Sequence, residues 1–294
     1  MFRDIYKGAA NAVVAMFEML DSCARVAHGF HFKQIPLSKK CGNAIILGNG
    51  PSLTNDLETV ERIAQRQNAD LWCVNFFAIS PEYSRLRPSN YVIADPGHWQ
   101  EDVTDDLKRD REEFLKQVIH ATQWNVLFHF PYSARGSAFV NRLSDNPHIR
   151  IRFFNNTTVP CRAKTILFAL YRKELAMPLC QNVLVPALFL AIISNYKKVL
   201  LVGADHSWHR DIVVKDSTVM IQDRHFYGDE TQLKPFFKNS RETFSMSEIF
   251  SIYGKVFSQY DLLAAFADAM KIEIANGSSS TFIDSFKQIE LQDF

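Results

Sequence analysis

The chain reads as an α/β protein, a Rossmann-like, mostly parallel sheet with helices on both faces. Three observations carry that reading. Short, continuous apolar runs of strand length alternate with longer stretches of helical periodicity. One apolar run passes through Gly48-Asn49-Gly50-Pro51-Ser52 straight into a helix-like stretch, a strand–glycine turn–helix unit. Strands that alternate with helices imply right-handed crossovers and parallel pairing.

Taken in order, residues 1–34 have apolar side chains at near-helical spacing (Ile5, Ala9, Val13, Met16, Leu20), which predicts an amphipathic helix. It falls within an N-terminal unit of residues 1–40, to pack on the catalytic domain or a second subunit, or to lie on a membrane surface. Ala44–Leu47 is a buried parallel strand and Leu53–Gln67 a helix. Strands follow at Leu71–Phe77, Asn90–Ala94 and Asn125–Phe130, with a charged helix at Glu101–Ile119. Helices at Cys161–Leu175 and Val183–Asn195 lead to a strand at Lys198–Val202, and a helix at Tyr260–Met270 to a last strand at Lys271–Ala275. Residues 204–255 are rich in charge, His and Phe without periodicity, and such a segment after a strand exit reads as an irregular lid. Residues 41–294 therefore read as one Rossmann-like domain with the lid at about 204–255.

Composition sets limits. The 294 residues exceed one typical domain and fall short of two. At 47% hydrophobic and 22% charged the chain is globular, and 33 basic against 32 acidic residues leave no global field to hold a nucleic acid. Five scattered cysteines without a CxxC indicate reduced thiols in a cytoplasmic protein. The N-terminus does not read as a signal peptide, and the longest apolar run, Val183–Ile193, contains Pro186 and is too short to span a bilayer.

In an open parallel sheet, ligands bind beyond the carboxyl ends of the strands, and five exits carry polar residues. Asn49, Gly50, Pro51 and Ser52 form the glycine turn, where backbone could approach an anion; it lacks both the GxGxxG spacing and the P-loop lysine. Asn75 follows the second strand, and its carboxamide can donate and accept. Asp95 precedes Pro96, which favours an extended backbone aiming the carboxylate over the sheet edge. Gly203 and Asp205 open an exit that also holds His206, Ser207, Trp208 and His209, and Asn276 and Ser278 form a small polar cluster at the last exit. Asp205, His206, His209 and His225 raise the question of a metal. His206 and His209 could share one only on a helix, which Gly203 disfavours, so no metal is expected. His225 and Asp229 sit beside Tyr227 in the lid.

Together, the stretches Ile45–Leu53, Cys73–Phe76, Gly203–Asp205 and His225–Gly228 resemble, in order, motifs of the bacterial lipooligosaccharide sialyltransferases. The turn and the Asp95-Pro96 pair also resemble the related flagellin nonulosonate transferases and 6-hydroxymethylpterin diphosphokinases. The resemblance covers roughly residues 42–286 through short motifs. It implies a metal-independent inverting transferase, without a cofactor, moving a sialic-acid-like sugar from a CMP donor to a surface glycan such as lipopolysaccharide, O-antigen or capsule. Such an enzyme would be a homo-oligomer in the cytoplasm, with peripheral contact at the inner membrane left open. The alternatives are a Mg²⁺-dependent phosphotransferase of the pterin type, using Asp95 and Asp205, and a non-catalytic nucleotide-binding subunit. Residue by residue, the resemblance puts Asn49, Gly50 and Ser52 on the CMP phosphate and ribose side, and Asn75 on the nucleotide. Asp95 stands where the sialyltransferases have Asn, and Ser207 where they have Tyr, with Trp208 or His209 as substitutes. Cys180-Gln181-Asn182 replaces their Arg-containing nucleotide motif. His225 matches the first lid histidine and Asp229 falls on the second, the catalytic base. For chemistry near neutral pH the base is His225, with Asp229 second and His206 or His209 behind them.

Overall fold

In the computed structural model, which describes residues 2–29, 37–222, 233–238 and 242–294, eight strands form one parallel sheet. After helix α1 (Phe2–His28), strands β1 (Asn43–Leu47), β2 (Asp70–Val74), β3 (Asn90–Val92), β4 (Val126–Pro131) and β5 (Ile149–Phe154) are linked by helices α2 (Leu53–Gln67), α3 (Glu82–Leu86), α4 (Asp105–Ala121) and α5 (Ala138–Leu143). Helices α6 (Lys164–Arg172) and α7 (Leu184–Ile193) lead back to β6 (Lys198–Val202). Then come β7 (Ile212–Lys215), β8 (Thr218–Gln222), β9 (Leu233–Pro235), α8 (Met246–Met270), β10 (Glu273–Asn276) and β11 (Lys287–Gln288).

The strand order β11-β10-β6-β1-β2-β3-β4-β5 places β1 and β6 side by side, with the chain winding outward from β1 on one side and from β6 on the other. That junction is the topological switch point. Each central strand is buried on both faces, which is why it reads as an unbroken apolar run. Ala44 and Ile46 of β1 pack with α6, α7 and α8, whereas Ile45 and Leu47 pack with α2, α4 and α5. Helix α7 is buried all round except at Ile193, with Pro186 in its first turn, where the missing N–H costs nothing. The expected α/β architecture is therefore the one found.

Four local expectations need correction. The 204–255 segment is not irregular among its described residues: β7, β8 and β9 form a separate antiparallel sheet in the order β7-β8-β9. Helix α8 starts at Met246, well before Tyr260, because Ser245 and Glu248 form a reciprocal capping box. Strand β2 stops at Val74, since Asn75 takes a left-handed conformation with φ 46°. Lys271 is the left-handed cap of α8 and not strand, so β10 begins at Glu273.

Helix α1 meets the body through its polar side. Glu18 pairs with Arg162 at 2.8 Å, Ser22 is buried, and Gly29 lies so close to Thr157 that a side chain there would collide with it. Among the described residues no helix is long and apolar enough to cross a membrane.

Candidate functional site

Two loops interlock at the switch point. Gly48 N–H donates to Val202 O (2.8 Å) and Gly50 N–H to Gly203 O (2.9 Å). Gly203 has φ +66°, and a β-carbon on Gly48 would stand 2.9 Å from the Gly203 carbonyl carbon, so both positions need glycine. Asp205 completes the lock. Its carboxylate accepts from Ser52 N–H (3.0 Å) and from Ser52 Oγ (2.5 Å), capping the N-terminus of α2. Burial pushes the Asp205 carboxyl up from the ordinary carboxylate range, the Ser52 bonds pull it down, and the charge of Asp56 pushes it up again. Asp56 is itself raised by burial, opposed by the bond from Ser279 N–H. The turn thus differs from a phosphate cradle. The amides of Gly48, Gly50 and Ser52 are engaged inside the protein, and a carboxylate already sits where the helix dipole would attract an anion.

Beside this lock opens a cleft of about 130 Å³, lined by Asn49, Gly50, Pro51, Asn75, Asn182, Gly203, Asp205, His206, Ser207, Trp208, Asp211 and Gln222, among others. Its described lining holds two acids and no Lys or Arg. Asn49 donates from Nδ2 to Val74 O (3.1 Å), which leaves its Oδ1 buried without a partner. Asn75 Oδ1 is also buried and unpartnered, while its backbone carbonyl accepts from Tyr91 OH (2.6 Å). An unmatched buried acceptor costs about 1–3 kcal/mol, and two in one cleft mark where a ligand's donors would be held.

His206 walls the cleft from the other side. It is 4% exposed and has φ 52°, a strained position for a non-glycine residue. Its Nε2 lies 2.6 Å from Tyr260 OH, and its ring lies against Trp208 with centroids 4.1 Å apart. Burial pushes the imidazole down to about 3, so it is neutral at any working pH. Tyr260 OH also reaches Asn182 Oδ1 (3.4 Å), which accepts from Leu184 N–H (2.7 Å).

The residues expected at the site divide accordingly. Asn49, Gly50, Pro51, Asn75, Asn182, Gly203, Asp205 and His206 meet at this cleft, with Ser52 buried behind it. Asp95 is exposed at the β3 exit, where its Oδ1 accepts from Gly97 N–H (2.8 Å). Burial first and the charge of Asp95 second push the Cys180 thiol up to about 12. Asp95 and Gln181 do not line the cleft. Asn276 and Ser278 act as latches: Ser278 Oγ accepts from Ala204 N–H (3.0 Å), and Asn276 Oδ1 accepts from Ser278 N–H (3.1 Å). Both face a different, open polar cavity of about 850 Å³ beside Asp56 and the C-terminal residues. His209 is exposed and packs edge-on to Phe282, and among the described residues no cluster of three metal-ligating side chains exists. His225 and Asp229 lie outside the described residues. Tyr260, which orients His206, lies 54 residues further along the chain, inside a helix whose pattern explains it as core.

No family model and no curated protein matches the chain. Among solved structures it is similar to "Apo structure of FabMG, novel types of Enoyl-acyl carrier protein reductase", at 12% identity and a TM-score of 0.20 over 84% of this chain and 63% of that one. The chain thus spans just under two thirds of that reductase, and a likeness so slight bears on neither fold nor function.

Proposed function

We propose that the chain is a metal-independent inverting glycosyltransferase that takes a sialic-acid-like sugar from a CMP donor and places it on a surface glycan. One observation supports this reading above the others: two buried carboxamide oxygens, on Asn49 and Asn75, lie unpartnered in a switch-point cleft without a described cation. A nucleoside answers them, because its amino and hydroxyl groups are donors. At about 130 Å³ the cleft admits only part of the donor's nucleoside, its base or its ribose, and the rest of the donor extends beyond it. The Asp205 carboxylate at the α2 N-terminus repels a phosphate from the glycine turn, so the phosphate lies on the His206 and Ser207 side. There the neutral His206 ring is held through Nε2 by Tyr260 OH, whose own proton goes to Asn182 Oδ1, and the Ser207 hydroxyl is the donor for the departing phosphate.

In the reaction a base takes the proton of the acceptor hydroxyl, and that oxygen forms a bond to the anomeric carbon from the face opposite the phosphate. The bond from anomeric carbon to phosphate oxygen breaks, and CMP leaves with the electron pair. His206, at about 3, is too weak a base for this step. The base belongs to the lid, at His225, with Asp229 second. The pterin-type diphosphokinase reading needs Asp95 and Asp205 on one Mg²⁺-bound diphosphate, yet Asp95 lies outside the cleft and Asp205 is bonded to Ser52.

Thermal shift and calorimetry with CMP, CDP, UDP, ATP and GTP, each with and without Mg²⁺, test the proposal. CMP should bind without Mg²⁺ and Asn75→Ala should weaken it about tenfold or more, while CMP-sialic acid plus a glycan acceptor should release CMP. Binding limited to Mg²⁺ complexes of diphosphates and triphosphates would overturn it in favour of the kinase, and CMP binding without turnover in favour of a binding subunit.

A further inference from the structure

From Met16 onward, where every side chain is described, helix α1 is turned inside out. The residues it presents to the body are Glu18, Ser22 and Gly29, whereas Met16, Phe17 and Leu20 are 54%, 62% and 59% exposed. A helix that only packs on its own domain buries its apolar stripe; here the stripe faces outward. The sequence of the helix repeats with spacings of four and three. Phe2, Tyr6, Ala9, Val13, Met16, Leu20, Cys23 and Ala27 follow one another in that register through almost four heptads of sequence, and its described members Met16, Leu20, Cys23 and Ala27 are all exposed. A sustained 4–3 repeat is the pattern by which one helix meets another. Within 27 residues the helix is about 40 Å long, enough for a seam of several interlocking layers.

We propose that this outer seam of α1 is an interface with α1 of a second copy of the chain. Charge separates this occupant from a lipid surface. The helix carries Arg3, Lys7 and Arg25 against Asp4, Glu18 and Asp21, a balance of zero, whereas a helix lying on an anionic bilayer carries an excess of Lys and Arg on its polar face. A copy of α1 needs no such excess, since its own stripe is equally apolar. The pairing buries Met16, Phe17 and Leu20, which together form a large apolar patch for a monomer to leave in water.

Sedimentation equilibrium of the full chain, at micromolar to 100 µM concentrations, tests the proposal against the Met16→Glu/Leu20→Glu variant. Both side chains are exposed, so the variant should keep the wild-type circular dichroism and unfolding midpoint. The wild type should dimerise, the variant should weaken dimerisation more than about tenfold, and Asp21→Lys on the polar side should leave it intact. A wild type that is monomeric throughout, or a variant that dimerises equally well, would overturn the proposal. So would flotation of the wild type with 70:30 phosphatidylcholine–phosphatidylglycerol vesicles that the variant loses, which would assign the seam to lipid. Should the glutamates disturb folding, Leu20→Ala gives the same reading through a smaller loss of association.

Discussion

Acidification should unfold this protein through its buried imidazoles, and the size of the effect follows from their surroundings. His98 is 1% exposed, stacked on Phe76 with centroids 4.4 Å apart and edge-on to Phe114 and Phe139, with Nδ1 3.2 Å from the Asp95 carbonyl oxygen. Burial lowers it to about 4, against a partial upward pull from Asp95 and a further push down from Arg111. His206 is lowered to about 3 by burial alone. In the unfolded chain both titrate near 6.5. A histidine held below its unfolded value contributes stability that is fully present above about pH 6.5 and is lost as pH falls toward the folded value. Between pH 7 and 5 each of the two therefore costs about 2 kcal/mol, together about 4, a large share of a typical 5–15 kcal/mol. His129, fully buried against Trp72, is lowered in the same sense by burial and by Arg152, and steepens the loss. Asp56 and Asp205, raised by burial, act in the opposite sense: their folded forms bind protons before the unfolded chain does, and they offset part of the loss at the acid end. Urea unfolding followed by tryptophan fluorescence at pH 7, 6 and 5 measures this for the wild type and His98→Phe. The variant loses the bond to the Asp95 carbonyl and is less stable at pH 7, yet its pH 7-to-5 difference should shrink by about 2 kcal/mol. A wild-type difference under about 1 kcal/mol, or an undiminished one in the variant, would show that these rings are not held neutral.

Two further substitutions probe the interlocked loops. Gly50→Ala would set a methyl group 2.7 Å from Gly203 O and from the Asp205 carboxyl carbon, neither of which can move freely, so a loss of about 1–3 kcal/mol in chemical unfolding is expected; an unchanged midpoint would mean that the two loops part easily. Asp205→Asn should cost about 1–2 kcal/mol, because α2 loses a charge-assisted cap, and inorganic phosphate should then stabilise the variant more than the wild type. Equal stabilisation of both proteins would show that the carboxylate does not guard the helix end.

Much of the sheet was legible because buried parallel strands write themselves as apolar runs. Leu53–Gln67 and Lys198–Val202 are found with the bounds read from the sequence, and β1 gains only Asn43. Strand β5 escaped notice because it lies at the sheet edge, where Ile149-Arg150-Ile151-Arg152 alternates apolar and charged residues. Its Arg152 is nevertheless buried, paired with Glu174 from beyond α6. The start of α8 was hidden by Ser247, Ser251 and Gly254 in its first turns, although the Ser245–Glu248 cap was there to read. At the site, the strand-exit rule found Asn49, Asn75 and His206, since a parallel sheet brings its exits to one edge whatever the chain order. It could not tell a side chain open to a ligand from one engaged with the protein. Asp205, Asn276 and Ser278 stand at exits like the others, and only their partners Ser52 and Ala204 reveal them as fasteners.

The winding of the sheet also sets an order of events during synthesis. Strand β1 finds β2 within 30 residues, but its other neighbour, β6, lies some 150 residues downstream. Until then one flank of β1 is an open edge. The sheet face bearing Ala44, Ile46, Trp72 and Val92 has only α6 for cover before α7, itself apolar throughout, leaves the ribosome. A nascent chain of about 180 residues thus presents half a sheet with one greasy side and a central strand paired on one flank only, the kind of species that aggregates or engages chaperones. Truncation at that length should yield insoluble protein, whereas extension past β6 should restore solubility in a single step.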